Sequence, residues 1–339
     1  MKRTLILPAL ILMMLLSLVI SIALGAVSLS PGEVLEVISG KLFMPDRELP
    51  ASNLAIVWHI RLPRSLAALL AGAALAVSGA AVQGVFRNPM ASPDILGISA
   101  GSSFGAVLTI ALGVNMMHSS VLPAAAFTGA MLASLFVYLI GSSRGRSHLL
   151  FVILAGLAVS SFLNGMVSAL LLFSDRYEMS QFLFWTMGGL EGVQFSRLIW
   201  PVPVIAAGGG VLFLLSGTLN LLALGDEQAH SLGVPVEAVK LGILSLASLL
   251  TAMAISLAGP VGFVGLMVPH LMRMIIGADN RRLLPVSAAA GAVFLLLSDT
   301  LGRILIPPYE IKTGIITSII GGPYFIYLII RYQRKGQIG

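Results

Sequence analysis

The side chains able to do chemistry in this 339-residue chain are few, and most stand at the ends of apolar stretches. Asp299 and Arg303 are four residues apart, which puts opposite charges on one face of a helix. Glu310 and Lys312 follow at the entry to the last apolar stretch. Charge is costly beside hydrocarbon, so such residues mark an internal ion pair or a functional position. Two further runs interrupt apolar sequence. Arg87-Asn88-Pro89-Met90-Ala91-Ser92-Pro93 ends a helical stretch, because proline lacks an amide proton and disfavours helix in the residue before it. Gly259-Pro260-Val261-Gly262-Phe263-Val264-Gly265 leads into Leu266-Met267-Val268-Pro269-His270-Leu271-Met272-Arg273 and reads as a broken helix. Irregular backbone at membrane depth is tolerated only inside protein or against water, so the first run is either an ordinary turn or a constriction in a path.

Little here suggests catalysis. His59, His118, His148, His230 and His270 lack the spacing of a metal site, and no His-Glu-x-x-His run or nucleophile–base constellation is visible. No cysteine is present, which excludes disulfides, thiolate metal sites and a thiol nucleophile. The redox compartment stays undetermined on that ground.

The elements that must position these residues are membrane helices. The chain is 57% hydrophobic and 10% charged, with a mean hydropathy of +0.99, too little charge to cover a soluble surface. Apolar stretches lie near 5–26, 66–86, 95–113, 121–141, 149–173, 195–217, 241–258, 261–276, 284–302 and 313–330. Each approaches the ~20 residues needed to cross the hydrocarbon core. The expectation is an all-α polytopic membrane protein of about ten transmembrane helices, a single transmembrane domain over residues 1–339 with both termini cytoplasmic. Met1-Lys2-Arg3 and the apolar run after it resemble a secretory signal, but the run exceeds the usual h-region of about 7–15 residues. It is read as an uncleaved first helix.

Orientation follows the basic residues. Placing the N-terminus inside gathers Lys2, Arg3, Arg87, Arg144, Arg146, Lys240, Arg273, Arg281, Arg282, Arg331, Arg334 and Lys335 in the cytoplasm. Lys41, Arg47, Arg61, Arg64, Arg176, Arg197, Arg303 and Lys312 fall outside. The net charge of +6 is thus a membrane pattern, and without a clustered basic patch nucleic acid is not an expected partner. Residues 27–60 form an external segment, where Ser30-Pro31-Gly32-Glu33 turns into a short helix. Residues 218–240 form an internal segment with a short helix that Gly233 and Pro235 bring to an end. Ala68, Gly72, Ala76, Ala80 and Gly84 recur every four residues, which favours a tight helix–helix contact over a path lining. Gln83 is the residue of that helix expected to face water.

Together these runs resemble the FecCD-type permeases, the membrane subunits of ABC importers for iron–siderophores, haem and cobalamin. The resemblance covers about residues 55–330 and rests on Arg61-Leu62-Pro63-Arg64, Gly72-Ala73-Ala74-Leu75-Ala76-Val77-Ser78-Gly79 and Arg87-Asn88-Pro89-Met90-Ala91. It continues through Trp185-Thr186-Met187-Gly188-Gly189-Leu190, Leu224-Gly225 with Ala229 and Leu232-Gly233, and Phe263-Val264-Gly265-Leu266 with Pro269-His270 and Arg273. Leu284-Pro285, Asp299 with Arg303, and Gly321-Gly322-Pro323 complete it.

The resemblance implies ten helices per subunit and a second permease copy, two separate ATPase subunits inside, and a substrate-binding protein docking outside. The setting it implies is the bacterial cytoplasmic (inner) membrane. No cofactor is implied for this chain, since ATP and Mg would sit on the partner ATPase; no Gly-x-x-x-x-Gly-Lys-Ser/Thr loop occurs here. It assigns Arg61, Arg64 and Arg303 to docking acidic residues of the binding protein, a use suited to guanidinium forks. Asn88 and Met90 match the cytoplasmic gate. Gly225, Asp226, Glu227, Ala229, His230, Leu232 and Gly233 match the segment that couples to the ATPase. Lys312 and Thr313 depart from the family, which usually has a proline and then an apolar residue there. The competing reading, an ion-coupled secondary transporter, usually needs intramembrane acids, and those here stand mostly at segment ends, with Asp94 in the turn region.

Overall fold

The computed structural model describes residues 5–25, 27–43, 50–143, 146–147 and 149–334. Lys2, Arg3, Arg47, Arg144 and Lys335, used above for orientation, and His148 lie outside the described residues. The chain is almost wholly helical, with one two-residue antiparallel ladder pairing Ser142 with Ser147. Every apolar stretch contains a helix. Among the described residues eight helices are long and apolar enough to cross a membrane, and two shorter apolar helices, Ile98–Ala111 and Val264–Ile276, join them.

Boundaries differ from the sequence reading where polar residues hide a helix. The second span begins at Ala51, not near 66, and runs unbroken to Phe86. Its Ala55–Arg61 stretch is π-helical, and the Leu62 amide donates five residues back to Val57. Pro63 lies one residue further on, where it can donate no bond. The external segment therefore shrinks, though its expected short helix is present as Pro31–Phe43. Ser30 and Glu33 cap that helix reciprocally: the Ser30 amide donates to Glu33 Oε2 at 2.8 Å and the Glu33 amide to Ser30 Oγ at 3.3 Å. Glu33 is held below the usual carboxylate range, chiefly by the Ser30 amide.

The Leu62–Phe86 helix is the shaft of the molecule, packed against Asn280–Ile304, Val236–Ala258 and Val264–Ile276. Its small residues make this possible. A Cβ on Gly72 would lie 2.2 Å from the Gly291 carbonyl oxygen, and one on Gly79 would lie 1.7 Å from that of Gly265. The Gly265 carbonyl is the one Pro269 cannot bond, so the glycine contact fills the space beside it. The ladder is a close-packing surface, as expected. Gln83 is a correction: it is buried, and its Nε2 donates to the Leu266 carbonyl at 3.0 Å.

The broken helix is real. Val236–Ala258 stops at Gly259 (φ +65°), and helix resumes only at Val264, after Phe263 in the left-handed region at φ +67°. The Phe263 ring fills the place of a side chain at Gly321, where a Cβ would lie 2.3 Å from Phe263 Cγ.

Candidate transport machinery

The chemistry-bearing residues divide between the two ends of the bundle. At one end, four helix termini converge on buried charge. Asp299 is 1% exposed and is the hub. Arg64 donates to it from Nε at 3.0 and 3.1 Å and from Nη2 at 3.0 Å, and Thr313 Oγ1 donates at 2.9 Å. Arg303 Nε lies 3.3 Å from Asp299 Oδ2, one turn away on the same helix but off the direction of a hydrogen bond. Arg64 Nη1 donates outward to Glu310 Oε2 at 2.8 Å.

The other two guanidiniums cap the Ile6–Ala23 helix. Arg61 Nη1 donates to the carbonyls of Ile22 and Ala23 at 2.8 and 2.9 Å, and Nη2 donates to that of Val27. Arg303 Nη2 donates to the Ser21 carbonyl at 2.8 Å and Nη1 to that of Leu24 at 3.1 Å. Cations at the carbonyl end of a helix satisfy orphan acceptors and oppose the helix dipole. Arg61, Arg64 and Arg303, the residues the resemblance assigns to docking, do come together, and within this chain they form an interior network. All three are buried. The reason is physical: each guanidinium finds carbonyls or carboxylates inside the fold, and the network's only half-exposed carboxylate is Glu310.

Lys312 and Thr313, the two departures, both have partners. Thr313 completes the Asp299 shell. Lys312 Nζ lies 2.6 Å from Glu191 Oε2 and 5.7 Å from the centre of the Phe184 ring. Backbone bonds stitch the same region: Gly314 donates to the Gly188 carbonyl at 3.1 Å and Gly189 to that of Ala258 at 2.8 Å.

At the other end the Leu62–Phe86 helix finishes in a left-handed turn. Arg87 holds φ +49°, while the Asn88 amide donates to Gln83 and the Arg87 amide to Gly84. Asn88 then folds an Asx turn, its Oδ1 accepting from the Met90 amide at 2.8 Å. Asn88 is exposed and Met90 half-exposed.

The 218–240 segment contains the helices Ser216–Leu222 and Asp226–Ser231. The second ends in a Schellman motif: Val234 donates to the Ala229 carbonyl at 3.0 Å and Gly233 to that of His230 at 2.9 Å, with Gly233 at φ +84°. Ala229 and Val234 are buried beneath it, whereas Glu227, His230, Leu232 and Gly233 are exposed. Asn220 staples the start of this segment to the next turn. It donates to Asp279 Oδ1 at 2.7 Å and accepts from the Asn280 amide at 2.8 Å. That bond is the main reason the Asp279 carboxyl titrates below its ordinary range.

Between the ends lies a cavity of about 320 Å³. The broken-helix residues Pro260–Phe263 line it together with Pro93 and Asp94 of the turn region. Ser99 donates to Asp94 there. Among the described residues no three His, Asp or Glu side chains converge as a metal site would require.

A multi-pass helical protein with two interrupted helices meeting at an internal cavity has the layout of a membrane transporter. The chain belongs to the FecCD transport family, whose model matches residues 12–331. It is 40% identical to the hemin transport system permease of Yersinia pestis, over 98% of each chain. It is 43% identical to the cobalamin import permease of Halobacterium salinarum, covering 83% of this chain and 75% of that one. A solved metal-chelate-type ABC transporter in an inward-facing conformation superposes with a TM-score of 0.82 at 32% identity, over 96% of this chain and 99% of that one.

Proposed function

We propose that the chain is the permease subunit of an ATP-driven importer in the bacterial cytoplasmic membrane, moving an iron chelate (siderophore or haem) or cobalamin inward by alternating access. The observation that carries this reading is the 226–233 tip. It projects exposed Glu227, His230 and Leu232 from a helix closed by a Schellman motif, beside the Asn88 turn, which suits a contact with a separate ATPase subunit. The orientation that puts this tip in the cytoplasm puts the Arg61–Arg64–Arg303 network outside.

A second copy of this chain is the proposed partner within the membrane. The Leu149–Phe173 helix exposes Ser161, Asn164, Gly165 and Ser168 along one face. Small and polar residues of this kind are at home against another helix or a water-filled path, not against lipid tails. On the outside, an acidic residue of a binding protein would dock by taking the place of Glu310 on Arg64, the half-exposed edge of the network. The cargo class follows the relatives named above.

The test is uptake into proteoliposomes holding the chain, its ATPase and its binding protein, with hemin, a ferric siderophore and cyanocobalamin as probes. Uptake of one of them that requires ATP supports the reading. Asp94 at the cavity favours ion coupling instead, and uptake driven by a proton gradient with a hydrolysis-dead ATPase would establish that alternative.

A further inference from the structure

The turn after Phe86 and the Asp226–Ser231 helix are 139 residues apart at their point of contact, yet one carboxylate joins them. Asp226 Oδ1 pairs with the guanidinium of Arg87, and Asp226 Oδ2 accepts from Lys240 Nζ. Three segments therefore meet on a single side chain: the Asn88–Met90 turn, the exposed helix, and the first turns of Val236–Ala258.

Both cations are placed at some expense. Arg87 occupies a left-handed C-terminal position that favours glycine, since a side chain there crowds its own backbone. An arginine in that conformation has its guanidinium at Asp226. Lys240 is 1% exposed, and a buried ammonium is tolerated only against a fixed anion. Asp226 is that anion.

We propose that Asp226 is a positioning residue: through Arg87 and Lys240 it makes the ATPase-facing helix and the Asn88–Met90 turn move as one unit. The inference rests on the importer reading above and adds the link by which motion at the tip reaches the constriction. Asn220 binds the same segment to a different turn, at Asp279 and Asn280. Arg87 is the contact that reaches Asn88.

The experiment uses the assembled permease–ATPase complex. This chain contains no cysteine, so Met90→Cys introduces one thiol, whose maleimide labelling rate is measured with and without ATP and vanadate, using a cysteine-free ATPase. In that parent the rate is expected to change about tenfold on ATP–vanadate, the scale of a typical coupling free energy. Arg87→Gly accepts the left-handed backbone and so keeps the turn while removing the ion pair. Its ATP-dependent change should collapse to within about twofold of none. Arg87→Lys keeps the charge and should retain most of the response. A glycine variant that responds like its parent overturns the proposal, as does a lysine variant as unresponsive as the glycine one. A parent complex that fails to bind the ATPase contradicts the importer reading instead.

Discussion

The two polar ends of the bundle are built on opposite plans. At the Asp299 end one carboxylate serves two buried arginines and a threonine, and the third arginine caps a neighbouring helix. Nearly every group there is shielded from water. At the Asp226 end a half-exposed carboxylate serves one exposed arginine and one buried lysine, beside a tip whose side chains face solvent. Local stability follows buried contacts and shielded hydrogen bonds. The first arrangement is thus a brace that fixes helix ends to one another, and the second is a joint. A transporter needs both, because force applied at one end must act on helices held in register at the other.

The comparison is broken most severely at the hub. Asp299→Ala leaves Arg64 and Arg303 buried without their shared anion and should destabilise the protein by about 3–5 kcal/mol, read as a loss of folded yield and a fall in Tm in detergent. Gly72→Val attacks the shaft between the ends. Its Cβ would overlap the Gly291 carbonyl, and an overpacked contact of this kind should cost about 3 kcal/mol by the same assay. Thr313→Val removes one hydrogen bond to Asp299 at nearly constant volume, with an expected loss of about 1.5 kcal/mol.

The smallest effect belongs to the joint end and is one of pH. Asp279 titrates below its ordinary value, mainly because Asn220 donates to it. Its contribution is present above the ordinary carboxylate range and is lost as pH falls through the depressed folded value. Asn220→Ala should lower the Tm at neutral pH, and the gap from wild type should narrow on acidification below about pH 4. A gap independent of pH would show that the Asn220–Asp279 bond is not its source.

How legible these ends were differs as well. Apolar runs and proline breaks are local signals, so the helices, the break before Val264 and the close-packed glycines of the shaft could be read from residue spacing. Helix starts masked by polar residues could not: His59, Arg61 and Arg64 hid the helical stretch from Ala51. The arginine cluster was visible in the sequence, but the hydrogen bonds it makes inside the fold were not. The guanidiniums turn on carbonyls of Ser21, Ile22, Ala23, Leu24 and Val27 and on the acid Asp299, contacts made only in the fold. Gln83 misled for the same reason, since its acceptor lies on another helix. The Arg87–Asp226 pair left no local trace. Lys240 did leave one: Val236, Lys240, Ile243, Leu244 and Ala247 share the buried face of one helix, and a lysine on such a face signals a fixed anion nearby.

The brace-and-joint account is tested most directly by distances in the assembled transporter. Spin labels at Ile60 and Tyr309, both exposed beside the Asp299 network, should keep one separation with and without ATP. A label at Leu232, exposed on the tip, should change its distance to the same label on the proposed second copy when ATP binds the proposed ATPase partner. A constant Leu232 distance together with an Ile60–Tyr309 distance that shifts on ATP would contradict the account.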